Sequence, residues 1–542
     1  MKNEISNILY LIEIGDTIKA LRDAKSFYEK NENNLDALKL LAYSYIQVGN
    51  FEKVIYLLEK GFGSRIDKQD FDYFNNMGYA LSQIEEYEES AIYLEKAIQI
   101  NKKNPGVYSS LAEVYLKRKE FKKAEELILI ALNIVNELGR ESFAKYANIF
   151  LLLSEINSAL KKDGETINLF CKILNDKFNE NIFFLLANID AGSVSKSLMK
   201  QAENNILANS NSYKNKIEKF NYVTPLYFGL AMCYQSVDKQ KSEKYFNIGN
   251  KEIFDSTRYN SHQYQERIVK TMDLYVRKYK SFDESDREHG RNNFFIVGAP
   301  RSGTTLVESI VTANNNVFSG GELKSCKNII EKNILSTEQS LSDLSHKFIS
   351  KYLRRTSYLR GAHEYVVDKM PENFLYLGFI QKLLPKSKVI KIYRNPWDIA
   401  VSLYKQRYVL NIPYSVSFFN IGVFLSNFEA INLFWAKNMN NKTNILEIKY
   451  EELVSNHSEV QRDIYNFLGI DSKYDEKLRS EFFSPTASIR QVREKIHKKS
   501  VEKMEFLEHK DEFLNAFFMQ REYWATKNID RNNDDFFGYS VH

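Results

Sequence analysis

Small and large apolar residues recur along the first half of the chain with a period near 34. LAYSY (41–45), MGYAL (77–81) and LAEVY (111–115) each set a small residue three positions ahead of a large one, which puts both on one face of a helix. A polar turn and an aromatic follow each time: GNF (49–51), EEY (85–87) and KEF (119–121). Ten residues past each aromatic stands another small residue, Gly61, Ala97 or Ala131. The copies are offset by 36 and then 34 residues, and GDT (15–17) lies 34 before GNF. This pattern predicts paired amphipathic helices that approach closely at the small positions, with aromatics filling the gap to the next pair. Pro105 falls where a helix should stop. The pattern weakens after residue 140, although AMCYQSV (231–237) has the form of one more first helix.

Near residue 291 the periodicity changes. β-branched and aromatic runs, FFIV (294–297), YVV (365–367), KVIKIY (388–393) and NILEIKY (444–450), alternate with helical patterns. Strands alternating with helices predict a mainly parallel α/β sheet. The expected fold is therefore in two parts: an N-terminal all-α solenoid of tetratricopeptide type over 1–255 and a C-terminal P-loop-like α/β domain over 291–512. A charged helical connector (256–290) joins them, and a helical tail (513–542) follows.

The strongest chemical motif is FFIVGAPRSGTTLVESIV (294–311), which reads as strand, tight glycine loop and helix. Backbone N–H groups of such a loop and of the helix N-terminus converge on an anion. Gly298 and Gly303 allow close backbone approach, and Ser302, Thr304 and Thr305 add hydroxyls. The loop resembles a Walker A sequence, but Thr304 stands where the lysine that reaches β/γ-phosphates belongs, and Arg301 supplies the charge instead. That argues against nucleoside triphosphate hydrolysis. In KVIKIYRNPWDIAVSLYKQRY (388–408), Arg394 follows a strand, Asn395 can cap the next helix with Pro396 at its first position, and Ser402 lies about two turns in. VFSGGEL (317–323) returns Glu322 to the carboxyl edge of the sheet, where such ligands bind, and EYVVDKMPENF (364–374) sets Lys369 just past another strand.

Composition narrows the picture without changing it. Hydrophobic residues are 44% and charged residues 27% of the 542, and a net charge of +5 is too small to indicate nucleic-acid binding by itself. Cys171, Cys233 and Cys326 form no metal-ligand spacing and no disulfide framework, which suits a reducing, cytoplasmic compartment. The first residues, with Glu4 and Glu13, lack the apolar run of a signal peptide. Residues 408–428 are uncharged yet carry Asn411, Pro413, Ser415, Ser417 and Asn420, so they read as buried or groove-lining rather than membrane-spanning.

PRSGTT (300–305) and the segments after it resemble the sulfotransferase family, and the layout resembles bacterial tetratricopeptide-repeat sulfotransferases whose catalytic domain is similar to tyrosylprotein sulfotransferases. The resemblance implies 3′-phosphoadenosine 5′-phosphosulfate (PAPS) as donor, adenosine 3′,5′-bisphosphate (PAP) as product, and no metal. It makes Arg301, Ser302, Gly303, Thr304 and Thr305 the 5′-phosphosulfate loop, and Arg394 with Ser402 the 3′-phosphate site. Tyr450, in YEEL (450–453), matches a donor-contacting tyrosine. Glu322 matches the catalytic glutamate and Lys369 the lysine facing the leaving oxygen. TASIRQVREKIHKKSVEKM (486–504) resembles the segment covering the adenosine, with Ser488 as a transition-state donor and Lys503 as a basic donor contact. It departs from many relatives at Lys495 and Met504. His346 and His363 are alternative bases by analogy with small-molecule sulfotransferases. The acceptor stays open between a peptide or protein tyrosine, a glycan and a small metabolite, and the repeats would recruit it or a protein partner. Two other readings are a repeat scaffold with a donor-sensing α/β module, and a P-loop kinase.

Overall fold

The structure, a computed structural model, describes residues 2–62, 70–208, 216–257, 259–279, 288–335, 345–346, 348–408, 412–439, 443–471, 474–483, 501, 505–529, 535–536 and 539–540. The chain forms two compact units, Met1–Ser242 and Glu243–His542.

The first unit is built of helical hairpins. They are α1 (Lys2–Glu13) with α2 (Thr17–Lys30), α3 (Leu35–Gln47) with α4 (Phe51–Phe62), α5 (Phe71–Gln83) with α6 (Tyr87–Ile100), and α7 (Pro105–Lys117) with α8 (Phe121–Glu137). Asn34, Asp70 and Asn104 cap α3, α5 and α7 by accepting from first-turn N–H groups, and Pro105 opens α7. The small positions are where paired helices meet. A Cβ at Gly78 would lie 2.7 Å from Leu94 Cγ, and one at Gly61 would collide with Leu38. Ser90 on α6 donates to the Gly78 carbonyl at 2.7 Å. Ala42, Ala97, Ala112 and Ala131 are fully buried. The turn inside each hairpin needs one left-handed residue: Gly15 (φ 78°), Gly49 (73°), Glu85 (71°) and Lys119 (62°). Helices Ala147–Ala159, Asp163–Asp176, Glu180–Asp190, Lys196–Ala208 and Lys216–Tyr234 follow, so hairpin packing continues past the point where the sequence pattern fades. This is the all-α tetratricopeptide-type half expected from the period.

The second unit holds a five-stranded parallel sheet: β1 (Asn293–Gly298), β2 (Val317–Gly321), β3 (Tyr365–Asp368), β4 (Lys388–Tyr393) and β5 (Ile445–Lys449), in the order β2-β3-β1-β4-β5. Its central strands are apolar on both sides because both faces are covered. Phe294, Ile296, Val367, Ile390 and Ile392 pack with the helices Thr304–Val311 and His457–Leu468. On the other face Phe295 stacks on Tyr352 and Tyr393 meets Phe428 of the helix Phe418–Asn438. The chain leaves β1 toward β2 on one side and later reaches β4 on the other, so the order switches beside β1. Ligands of open α/β sheets bind at the carboxyl ends of the strands at such a switch.

Residues 243–279 belong to this unit. Asn247 accepts from the Tyr404 hydroxyl at 2.9 Å, Asn250 donates to the Tyr404 carbonyl at 2.8 Å, and Tyr275 packs edge-on against Trp435 with ring centroids 5.0 Å apart. The helix Lys510–Ala525 also packs in it: Gln520 and Trp524 donate to Asn427 at 2.9 and 2.8 Å. The uncharged 408–428 stretch enters the largely buried helix Phe418–Asn438, and no helix among the described residues is long and apolar enough to cross a membrane.

Candidate active site

Four strand ends supply the site. β1 ends at Gly298, and a five-residue loop then leads into the helix Thr304–Val311. The loop is tight. A Cβ at Gly298 would sit 2.6 Å from the Ile392 carbonyl oxygen on β4. Gly303 has φ +108°, and a Cβ there would lie 2.5 Å from the Tyr450 ring. Arg301 adopts φ 70°, a left-handed conformation that a side chain makes unfavourable. Ser302, Thr304 and Thr305 are buried, and the Ser302 hydroxyl has no hydrogen-bond partner among the described residues.

β4 delivers the second group. Arg394 follows it, and Asn395 caps the helix Pro396–Tyr404 by accepting from Trp397 and Asp398 N–H. The Arg394 guanidinium donates to the Arg301 carbonyl at 2.9 Å and lies over the Tyr450 ring at 4.4 Å. Arg301 Nε donates to Ser402 Oγ at 3.0 Å. Arg301, Arg394, Ser402, Gly303 and Tyr450 thus form one constellation beside the loop. Arg394 is only 5% exposed. Burial pulls its pKa down and the Arg301 charge adds to that, against Tyr450, Asp398 and Glu451. Two guanidiniums close enough to repel, one of them sealed from water, favour an anion beside them.

β2 and β3 deliver the third group. Lys369, just past β3, is fully buried, and its Nζ lies 2.5 Å from Glu322 Oε1 and 3.8 Å from Glu308 Oε2. Its backbone N–H donates to the Gly321 carbonyl at 2.8 Å, which locks the two strand ends together. Burial, the largest influence, lowers the Lys369 pKa, but Glu322, Glu308 and Asp368 outweigh it and hold the pKa above the ordinary lysine value. Asp368 accepts from the Tyr352 hydroxyl at 2.8 Å, so Lys369's contact ion pair is with Glu322. The Glu322 side chain stays 45% exposed, open to an incoming group.

Ser488 and Lys503 lie outside the described residues. His346 is exposed, and His363 is exposed beyond the amino end of β3, with its Nδ1 against the Arg360 carbonyl at 3.0 Å. Two residues escaped the sequence reading. Glu308 is one; the signal was a carboxylate in the otherwise uncharged helix TTLVESIV, 304–311. Tyr408 is the other. Its pKa is pushed up mainly by burial, and it feels Arg301, Glu322 and Lys369, so it lies within electrostatic reach of both charged clusters. No motif marks it.

Residues 292–476 match the model described as Sulfotransferase family. An uncharacterised protein of Aquifex aeolicus (strain VF5) is 27% identical over 295 residues, 50% of this chain and 38% of that one. A Caenorhabditis briggsae protein provisionally named a protein-tyrosine sulfotransferase is 27% identical over 200 residues, 34% of this chain and 67% of that one. The sulfotransferase domain of the Synechococcus PCC 7002 olefin synthase aligns with 44% of this chain and 97% of that domain, at 17% identity and a TM-score of 0.29. Residues 292–476, with the strand ends that carry Arg301, Glu322, Lys369 and Arg394, are a domain of the sulfotransferase family.

Proposed function

We propose that the second unit transfers the sulfonate of 3′-phosphoadenosine 5′-phosphosulfate to an acceptor hydroxyl. The observation that carries this reading is the Arg301–Arg394–Ser402 cluster beside the loop at the end of β1, in which Arg394 and Ser402 are buried. Its two cations and one hydroxyl fit the 3′-phosphate that separates this donor from adenosine phosphosulfate. The loop N–H groups with Ser302, Thr304 and Thr305 fit the 5′-phosphosulfate, and Tyr450 and Lys503 are further donor contacts. When bound, the donor supplies the sulfonate and leaves as adenosine 3′,5′-bisphosphate. Glu322, half open to solvent, takes the proton of the acceptor hydroxyl at its carboxylate. Lys369, charged and fixed, donates toward the oxygen that bridges sulfur and phosphorus, and Ser488 is a second donor there.

Thr304 in place of a Walker lysine disfavours a kinase, and a scaffold would need neither the Lys369–Glu322 pair nor the arginine cluster. The repeats recruit the acceptor or a protein that delivers it. A protein tyrosine is the acceptor class favoured by the helical repeats and by the name of the nematode relative, with a glycan as the alternative. Three unpaired cysteines suit the cytoplasm.

Thermal midpoints of the full chain with PAP, AMP and ATP plus Mg²⁺ test the reading. A ligand at a hundred times its Kd stabilises by about 2.7 kcal/mol. PAP should raise the midpoint at concentrations where AMP does not. Stabilisation by ATP with Mg²⁺ alone would favour the kinase, and no response to any nucleotide would favour the scaffold. Turnover itself is then read with labelled donor against peptide and glycan acceptors.

A further inference from the structure

Glu308 has no role in anything so far derived, yet it occupies an expensive place. It is fully buried on the helix Thr304–Val311, with Val307, Ile310 and Val311 also buried around it. An ionised carboxylate out of water costs several kcal/mol unless it is compensated, and an apolar residue would suit the helix better for folding alone. Its compensation is specific. Ser319 on β2 donates to Oε1 at 2.7 Å, and the Lys369 ammonium lies 3.8 Å from Oε2.

Lys369 therefore stands between two carboxylates of different character. Glu322 makes the contact pair at 2.5 Å and is exposed; Glu308 is farther and sealed from solvent. A general base must become neutral when it takes its proton. At that moment Glu322 stops compensating Lys369, and a fully buried ammonium with no counter-charge would shed its own proton. We propose that Glu308 is a positioning residue, the standing counter-ion that keeps Lys369 charged and in place while Glu322 gains and releases the acceptor's proton. This rests on the reading of Glu322 as base and Lys369 as charge donor. Among the described residues, the groups facing Lys369 are Glu322 after β2, Glu308 on the helix, Asp368 on its own strand and Tyr408 after the helix Pro396–Tyr404. Asp368 is the last and smallest of the carboxylate influences on Lys369, and Tyr352 donates to it. Tyr408 is kept neutral by burial.

The test follows the Lys369 side-chain resonance with pH in full-length protein carrying ¹³C-labelled lysine, assigned with Lys369→Arg. In Glu322→Gln the lysine should stay charged at pH 8. In Glu308→Gln its titration should move to lower pH, because removing a neighbouring negative charge disfavours the cation. In the double variant it should be neutral at pH 8. An unchanged titration in Glu308→Gln, or a charged lysine in the double variant, overturns the proposal. Ser319→Ala, which weakens the ionised form of Glu308, should move Lys369 the same way by less, and it serves if Glu308→Gln fails to fold. In turnover, Glu308→Gln should lower kcat by up to about a hundredfold with donor KM unchanged. Its basic limb should move to lower pH, and Glu308→Asp should restore that limb. The resonance needs no sulfate transfer. A chain with no sulfotransferase activity would therefore sink the function while the titration still judged Glu308, and an active chain with unmoved Lys369 would sink Glu308 alone.

Discussion

Arg394 shows how much one side chain decides here. It is buried, stacked on Tyr450 and bonded to the Arg301 carbonyl, so its position is set before any ligand arrives. Arg394→Ala should weaken PAP far more than AMP, since a charge-assisted phosphate contact contributes about 1.5–3 kcal/mol. Calorimetry giving equal losses for both nucleotides would remove the 3′-phosphate assignment. Glu322→Gln keeps the shape and removes the proton acceptor. The rate should drop about 10²–10⁴-fold with donor affinity nearly unchanged. Lys369→Met should also slow transfer, and it should weaken donor binding as well. Near wild-type turnover in Glu322→Gln would return the search to His346 or His363, although the structure puts His363 at the amino end of β3. Gly303→Ala sets a Cβ at φ +108° and 2.5 Å from Tyr450, so a cost of about 1–3 kcal/mol in stability is expected, with weaker PAP binding. Unchanged melting and PAP affinity would mean the loop is looser than its geometry.

At the scale of elements, much was legible because local rules act there. Asn395 caps its helix, Pro396 opens it and Ser402 lies two turns on, as their order along the chain predicts. Each strand expected from a β-branched run is present, and β2 lies between the loop helix and Glu322. The turns of the hairpins carry their own record. Gly15 and Gly49 suit the left-handed position, whereas Glu85 and Lys119 hold it at φ 71° and 62° against their side chains. Lys119→Gly should therefore stabilise the first unit, by roughly 0.5–1 kcal/mol once glycine's larger unfolded-state entropy is subtracted. A melting transition that falls instead would show that the Lys119 side chain contributes more than its backbone costs.

For the molecule as a whole, the dividing line matters more than either half. Every donor group named above lies after residue 290, which from the sequence suggests that the catalytic part could begin there. Yet Asn247 and Asn250 hold Tyr404 on the helix that carries Ser402, and Tyr275 packs on Trp435. A chain starting at Lys239 should keep PAP affinity and lose activity toward a macromolecular acceptor. One starting near 285 should lose the fold of the site, read as an early, non-cooperative melt. If the shorter chain binds PAP as tightly as the longer one, those buried contacts are dispensable.

What the sequence determined alone is whatever depends on near neighbours along the chain: the 34-residue period, the caps, the glycine loop, and the placing of Arg394, Glu322 and Lys369 just past strand ends. Such features follow from helix and strand geometry and from sterics of single residues. What only the tertiary structure decided is which strand ends come together and what they then do to one another. The order β2-β3-β1-β4-β5 brings Lys369 against Glu322 rather than against its neighbour Asp368, and it draws in Glu308 from another element. The tertiary contacts also assign residues 243–279 to the second unit. Ion pairs and burial depend on distance in space, and residues 308, 322 and 369 become neighbours only when the parallel sheet forms.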